Sequence, residues 1–122
     1  MPSGAACHLG SADLSLRVTL DEVTGAPVGF EPGSAGTTDL VVGFVAGDTA
    51  STRTTTVRLT SRSQRTIKVD LWLSQNGQQY TYTSSCPIAA GRRSFETWPG
   101  DVPWVYVSNP RFLAPDAPAT CE

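Results

Sequence analysis

The stretch 66-TIKVDLWLSQNGQQYTYT-83 decides the fold. Its first half alternates apolar and polar side chains in strict period two, which predicts a strand from Thr66 to Ser74 with one buried face. Asn76-Gly77 follows, and both residues tolerate the positive φ that a two-residue type I′ turn requires. The stretch therefore predicts an antiparallel hairpin. The residues expected on its buried face are Ile67, Val69, Leu71 and Leu73.

A two-residue turn also predicts the register of the hairpin. It places Leu73 opposite Tyr80 and Leu71 opposite Tyr82, so one face is apolar and aromatic. Trp72 is the only large apolar side chain on the other face. That face carries Lys68, Asp70, Trp72, Thr81 and Thr83.

An indole on a polar face has three interpretations. A neighbouring loop or the C-terminal tail covers Trp72, the register is wrong, or the face is a recognition surface. In the last case the indole stacks on a sugar ring or anchors a protein partner, flanked by hydroxyls and the Lys68 and Asp70 charges. We predict a binding site at Lys68, Asp70, Trp72, Thr81 and Thr83.

The rest of the chain shows the same strand periodicity, with breaker clusters about every ten residues. No window carries a helical apolar stripe with capping residues, so little or no helix is expected. This pattern predicts an all-β, two-layer antiparallel β-sandwich of about seven strands, of immunoglobulin-like or jelly-roll type. The further strands are expected at 14–20, 40–46, 54–60, 94–98 and 102–107, with a short strand or loop plug at 28–30.

The chain has 122 residues, the size of one typical domain. Residues 1–12 are small and polar without periodicity, which predicts a flexible N-terminal arm. The sandwich is expected over 13–112. Residues 113–122, with two prolines, predict an irregular C-terminal tail.

Three widely spaced cysteines, Cys7, Cys86 and Cys121, permit one disulfide between any two of them. We expect a disulfide that pins one or both tails, because Cys7 and Cys121 lie in the weakly patterned ends, and therefore an extracellular or cell-surface protein. The alternative is a reduced cytosolic protein with ordinary buried thiols. The spacing predicts no CxxC metal or redox site. No apolar run is long enough for a membrane span, and no signal peptide is recognisable in the first twenty residues.

Catalysis and nucleic-acid binding find little support in the sequence. A net charge of -2 is the wrong sign for a nucleic-acid binder. His8, in the N-terminal arm, is the only imidazole, and the carboxylates show no spacing that pairs them across a cleft. No nucleotide, calcium or zinc motif occurs, so neither a cofactor nor an enzyme is expected.

Trp98 and Trp104 lie beside prolines in a second aromatic stretch. Such residues either form a rigid recognition surface or plug the open end of a sandwich. We include both among the candidate binding residues.

The sequence thus predicts a non-catalytic binding or adaptor module that recognises a protein partner or a carbohydrate. The alternative is a structural subunit of a virion, tail or pilus type, which predicts an oligomer and tails ordered by another chain. A further alternative is a small secreted enzyme inhibitor, which predicts one protruding loop held by the disulfide.

Overall fold

A computed structural model describes residues 3–45 and 54–121, and these form an all-β protein. The described part of the chain contains nine strands and no helix. The strands are β1 Gly4–His8, β2 Leu14–Leu20, β3 Pro27–Pro32, β4 Leu40–Phe44, β5 Thr54–Ser61, β6 Thr66–Ser74, β7 Thr81–Thr83, β8 Arg93–Pro99 and β9 Trp104–Leu113.

The strands form two antiparallel sheets, as expected of a β-sandwich. The four-stranded sheet has the order β1-β9-β6-β7, and the five-stranded sheet has the order β3-β2-β4-β5-β8. Most buried residues of the central strands alternate along the chain, because a pleated strand sends alternate side chains to one face. The strand order confirms the two-sheet, all-β architecture without assigning an immunoglobulin-like or jelly-roll type. The fully buried core residues include Leu40, Val42, Val57, Leu59, Ile67, Val69, Leu71, Val105 and Val107.

The N-terminal segment differs from the expected flexible arm. Gly4–His8 is strand β1, which pairs with β9 from Gly4 opposite Ser108 to His8 opposite Trp104. Cys7 is the only buried residue of this strand; it is 3% exposed and lies in the core. This strand forms because β9 offers it a pairing edge, and such tertiary pairing overrides weak local propensity.

The β6–β7 hairpin is present, but the predicted two-residue turn and its register are wrong. The observed pairs are Leu71 with Thr83, Trp72 with Tyr82 and Leu73 with Thr81. The slip of one residue turns every side chain of the second strand to the opposite face. Tyr82 therefore lies beside Trp72 instead of opposite Leu71.

Side-chain hydrogen bonds explain the longer turn. Ser74 Oγ accepts the N–H groups of Asn76 and Gly77 at 3.2 and 2.8 Å. Asn76 Oδ1 in turn accepts the N–H groups of Gln78 and Gln79 at 2.8 and 3.0 Å. Only Gly77 of the Asn-Gly pair has positive φ, so the type I′ turn, which needs it at both residues, does not form.

Strand β9 continues beyond the predicted end at residue 107. The pairing with β6 shifts between Lys68 opposite Arg111 and Asp70 opposite Ser108. Asn109 adopts φ 54° at this bulge, a conformation that asparagine tolerates better than most residues. The bulge lets the strand pass Asn109-Pro110 and brings Arg111 to the outer surface next to β6.

The C-terminal tail follows β9 and forms no strand as far as the structure describes it, up to Cys121. A disulfide joins Cys86 to Cys121, while Cys7 is a free, buried thiol. Of the three pairings that the sequence left open, the structure thus has the one that ties the tail to the segment after β7.

Candidate functional site

The outer surface of the four-stranded sheet is lined with aromatic side chains. In β9, Val105 and Val107 are completely buried in the core, so the residues that alternate with them point outward. Trp104 and Tyr106 are these outward residues, and Tyr106 lies opposite Trp72 of β6. Because Trp72 also pairs with Tyr82 of β7, three adjacent strands each place one aromatic residue in a row.

Trp72 is the centre of this row and is half-buried. Its indole Nε1 donates a hydrogen bond of 2.9 Å to Ser108 Oγ. Ser108 is completely buried and its side chain is short, so the indole must lean over the sheet to reach it. The Tyr82 ring meets the indole edge to face, with 5.3 Å between centroids and an interplanar angle of 72°.

Two further ring contacts extend the surface toward the hairpin loop, where Trp104 lies opposite Ser74. The Tyr80 and Tyr106 rings are 5.9 Å apart in an edge-to-face contact. The His8 ring lies 4.1 Å from Trp104. A Cβ on Gly77 would lie 2.9 Å from Trp104, so this glycine, at φ 76°, lets the hairpin loop approach the indole.

These contacts define the aromatic face, by which we mean the rings of Trp72, Tyr80, Tyr82, Trp104 and Tyr106. All five are partly accessible, and Tyr82 is 49% exposed. Ring contacts in pairs, with His8 as the partner of Trp104, fix the rings before any ligand arrives, which reduces the entropy lost on binding.

A polar cluster borders the aromatic face around Asp70. The Asp70 carboxylate accepts hydrogen bonds from Arg111 Nη1 at 3.2 Å and Asn109 Nδ2 at 2.9 Å, with the Tyr82 hydroxyl at 3.4 Å. The Asp70 side chain is 16% exposed and that of Arg111 is 36% exposed. Carboxylate, amide and guanidinium groups thus lie together along one side of the row of rings. Such planar groups can make paired hydrogen bonds to a ligand.

Lys68, which the sequence also placed on this surface, is 7% exposed. Its Nζ donates a hydrogen bond of 2.9 Å to the carbonyl of Thr120 in the C-terminal tail. The tail therefore reaches Lys68, whereas the Trp72 indole stays partly accessible.

Thr81 and Thr83 do not belong to the aromatic face. The register pairs them with Leu73 and Leu71, whose side chains point toward the core side of the sheet. Thr81 lines a groove of about 310 Å³ with Leu73 and Val102, under the hairpin loop. Their predicted place beside Trp72 was wrong because of the one-residue slip.

The two other tryptophans have separate places. Trp104 belongs to the aromatic face, whereas Trp98 packs against the core from β8 of the five-stranded sheet. For Trp98 this corresponds to the plugging role that the sequence left as an alternative. Phe95, also on β8, is 54% exposed on the five-stranded sheet, away from the aromatic face.

Other features of the described residues offer less chemistry. A depression of about 750 Å³ on the five-stranded sheet is lined mainly by the 33–38 loop, without an aromatic ring. No group of three or more metal-ligating side chains occurs within residues 3–45 and 54–121. In the same residues, no helix is long and apolar enough to cross a membrane.

Sequence reasoning missed three tyrosines and His8 as members or neighbours of this surface. Tyr80 and Tyr82 were assigned to the wrong face by the two-residue turn. The alternation of Trp104 and Tyr106 with Val105 and Val107 was a usable signal, because two buried valines predict that their neighbours point outward. His8 gave no signal, since its place depends on the pairing of β1.

In comparisons with known proteins, no family model, no curated protein and no solved structure matches this chain.

Proposed function

We propose that this protein is a non-catalytic, extracellular binding module that recognises a carbohydrate chain through the aromatic face. The single observation that carries the proposal is the row of Tyr106, Trp72 and Tyr82 across three adjacent strands. The C–H groups on one face of a sugar ring pack against an aromatic ring, and tryptophan and tyrosine combine an apolar body with a polar tip. A row of fixed rings suits a ligand made of repeated rings.

The composition of the surface supports a sugar over a protein partner. Next to the rings lie Asp70, Asn109 and Arg111, which together supply acceptors and donors for hydroxyl groups. No large aliphatic side chain stands among the aromatic residues of β6, β7 and β9. Protein interfaces, by contrast, generally combine aromatic anchors with a closely packed apolar core.

The two ends of the chain support a module over a structural subunit. β1 pairs with β9 of its own sheet, and the disulfide ties the tail to Cys86 of the same chain. A subunit that exchanges tails with its neighbours would instead leave such segments unpaired. Within the described residues, the disulfide holds the C-terminal tail and not a protruding loop. This disfavours the hypothesis of a small enzyme inhibitor, which predicted such a loop. A disulfide agrees with an extracellular location.

An immobilised glycan array tests the proposal. The wild-type protein should bind at least one neutral oligosaccharide, and Tyr82→Ala should weaken that binding about tenfold. Phe95→Ala is the matched control, because it removes an aromatic ring of similar exposure from the other sheet. Equal loss in both variants, or retention of a protein partner from an extracellular extract with no glycan bound, would overturn the proposal.

A further inference from the structure

Lys68 is buried on a surface where burial is unexpected. It occupies the same face of β6 as Asp70 and Trp72, outside the core, yet it is only 7% exposed. Lysine is rarely buried to this degree, because removing its ammonium group from water is costly. The burial must come from whatever lies over the sheet at this position.

The C-terminal tail supplies that cover. Thr120 accepts a hydrogen bond of 2.9 Å from Lys68 Nζ through its carbonyl, and Cys121 next to it is bonded to Cys86. Cys86 follows Ser85, whose Oγ donates a hydrogen bond of 2.6 Å to the carbonyl of Val69. Because Val69 is next to Lys68 in the chain, Cys86 lies close to Lys68. The tail thus crosses the outer surface of β6 at the end of the aromatic face.

The disulfide is the strongest attachment of this tail. Between Leu113 and Cys121 no residue pairs with a strand, and Ala117 bonds only within the tail, to the carbonyl of Ala114. Opening the disulfide would therefore leave a short irregular segment without strand pairing, and such segments open at small cost in free energy.

A second cation, Arg111, lies next to Lys68 and is partly accessible. Arg111 is the direct cross-strand neighbour of Lys68, and its Nη1 also bonds Asp70 and the Asn109 carbonyl. Moving the tail away would add the Lys68 ammonium group to the Arg111 and Asp70 charges that are already partly accessible next to the rings. That local excess of positive charge is suited to a carboxylate or sulfate group.

We propose that the C-terminal tail is a strap, closed by the Cys86–Cys121 disulfide, that covers a subsite for an anionic sugar substituent formed by Lys68 and Arg111. This inference rests on the proposed function, since it extends the same aromatic face. An external dithiol opens the strap by thiol–disulfide exchange: the dithiol is oxidised to its disulfide, and Cys86 and Cys121 each become a thiol.

The third cysteine does not interfere with this exchange. Cys7 is 3% exposed, whereas Cys121 is exposed and Cys86 is half-buried. Burial, with a smaller contribution from the Asp13 charge, raises the pKa of the Cys7 thiol. Both effects keep Cys7 unreactive toward the disulfide.

The position of the strap can be measured without any ligand. Lys68 is the only lysine of the chain, so acetylation by an N-hydroxysuccinimide ester, followed by peptide mass spectrometry, reports on its exposure alone. Lys68 should react about tenfold faster in the full-length double variant Cys86→Ser/Cys121→Ser than in the oxidised wild type. Equal rates in the two folded proteins would overturn the strap.

The subsite is tested on an array that carries each glycan backbone in a neutral, a uronate and a sulfated form. The ratio of acidic to neutral signal should rise about tenfold in the double variant. Adding Lys68→Gln should abolish that rise, whereas adding Arg92→Gln, the same charge change at an exposed site, should not. The uronate and sulfate spots distinguish the two sources of negative charge.

The outcomes separate the two proposals. Neutral glycans bound without any gain for acidic ones would overturn the subsite and leave the proposed function standing. An array without neutral signal would overturn the proposed function. If the double variant then bound no acidic glycan either, the subsite would be refuted as well, while the labelling rates would still decide the strap.

Discussion

Tyr82→Ala distinguishes the observed hairpin register from the one that a two-residue turn would impose. Tyr82 is 49% exposed, so its truncation exposes little new apolar surface and opens no enclosed cavity. A net loss of about 60 Å² of buried apolar area at about 25 cal/mol per Å² gives about 1.5 kcal/mol of lost stability. The hydroxyl adds little, because its 3.4 Å contact with Asp70 is long.

In the alternative register Tyr82 would face Leu71 on the core side of the sheet. Truncating a buried aromatic side chain there would cost about 3–5 kcal/mol. Urea denaturation followed by circular dichroism measures the difference, with Leu71→Ala as the core reference, since Leu71 is completely buried. We expect Tyr82→Ala to be clearly milder than Leu71→Ala. A loss above about 3 kcal/mol, at an unchanged m-value, would refute the observed register.

Three further changes test particular contacts. A double-mutant cycle of Trp72→Phe and Ser108→Ala should give a coupling energy of about 1 kcal/mol in urea denaturation, from the Nε1–Oγ hydrogen bond, and a coupling near zero would contradict that bond. Ser74→Ala removes the acceptor of two loop N–H groups and should cost about 2 kcal/mol while speeding amide exchange in the loop; unchanged exchange would count against this cap. Because burial raises the pKa of Cys7, the unfolded state loses the thiol proton at lower pH than the folded state, so stability should fall as pH rises through the thiol's usual pKa. Cys7→Ala should flatten that dependence in urea denaturation, and an equally steep dependence in the variant would show another group to be responsible.

Most of the sheet framework could be predicted from local periodicity. β2 and β6 begin and end where strict alternation begins and ends. A half-buried strand needs apolar residues on one face and polar residues on the other, so its sequence alternates between the two. β1 could not be predicted in this way. Gly4–His8 has no alternation, and it forms a strand only because the edge of β9 is available to pair with it.

The candidate site depended on a smaller detail, the number of residues in one turn. Asn76-Gly77 is a strong signal for a two-residue loop, but Ser74 and Asn76 bond the following N–H groups and lengthen it. Because the loop is one residue longer, Tyr82 lies opposite Trp72 on the outer face, and Thr81 lies on the core side of the sheet. Side-chain capping of this kind competes with backbone turn preference by about 1 kcal/mol, a margin that sequence patterns do not resolve.

The aromatic face as a glycan-binding surface is tested most directly by the indole N–H resonances of the three tryptophans during titration with a glycan selected on the array. Trp72 and Trp104 lie on the aromatic face, whereas Trp98 packs against the core from the other sheet and serves as an internal control. We predict that the Trp72 and Trp104 resonances shift with saturable dependence on glycan concentration and that Trp98 does not. A glycan that shifted Trp98 while leaving Trp72 and Trp104 unchanged would contradict this function for the aromatic face.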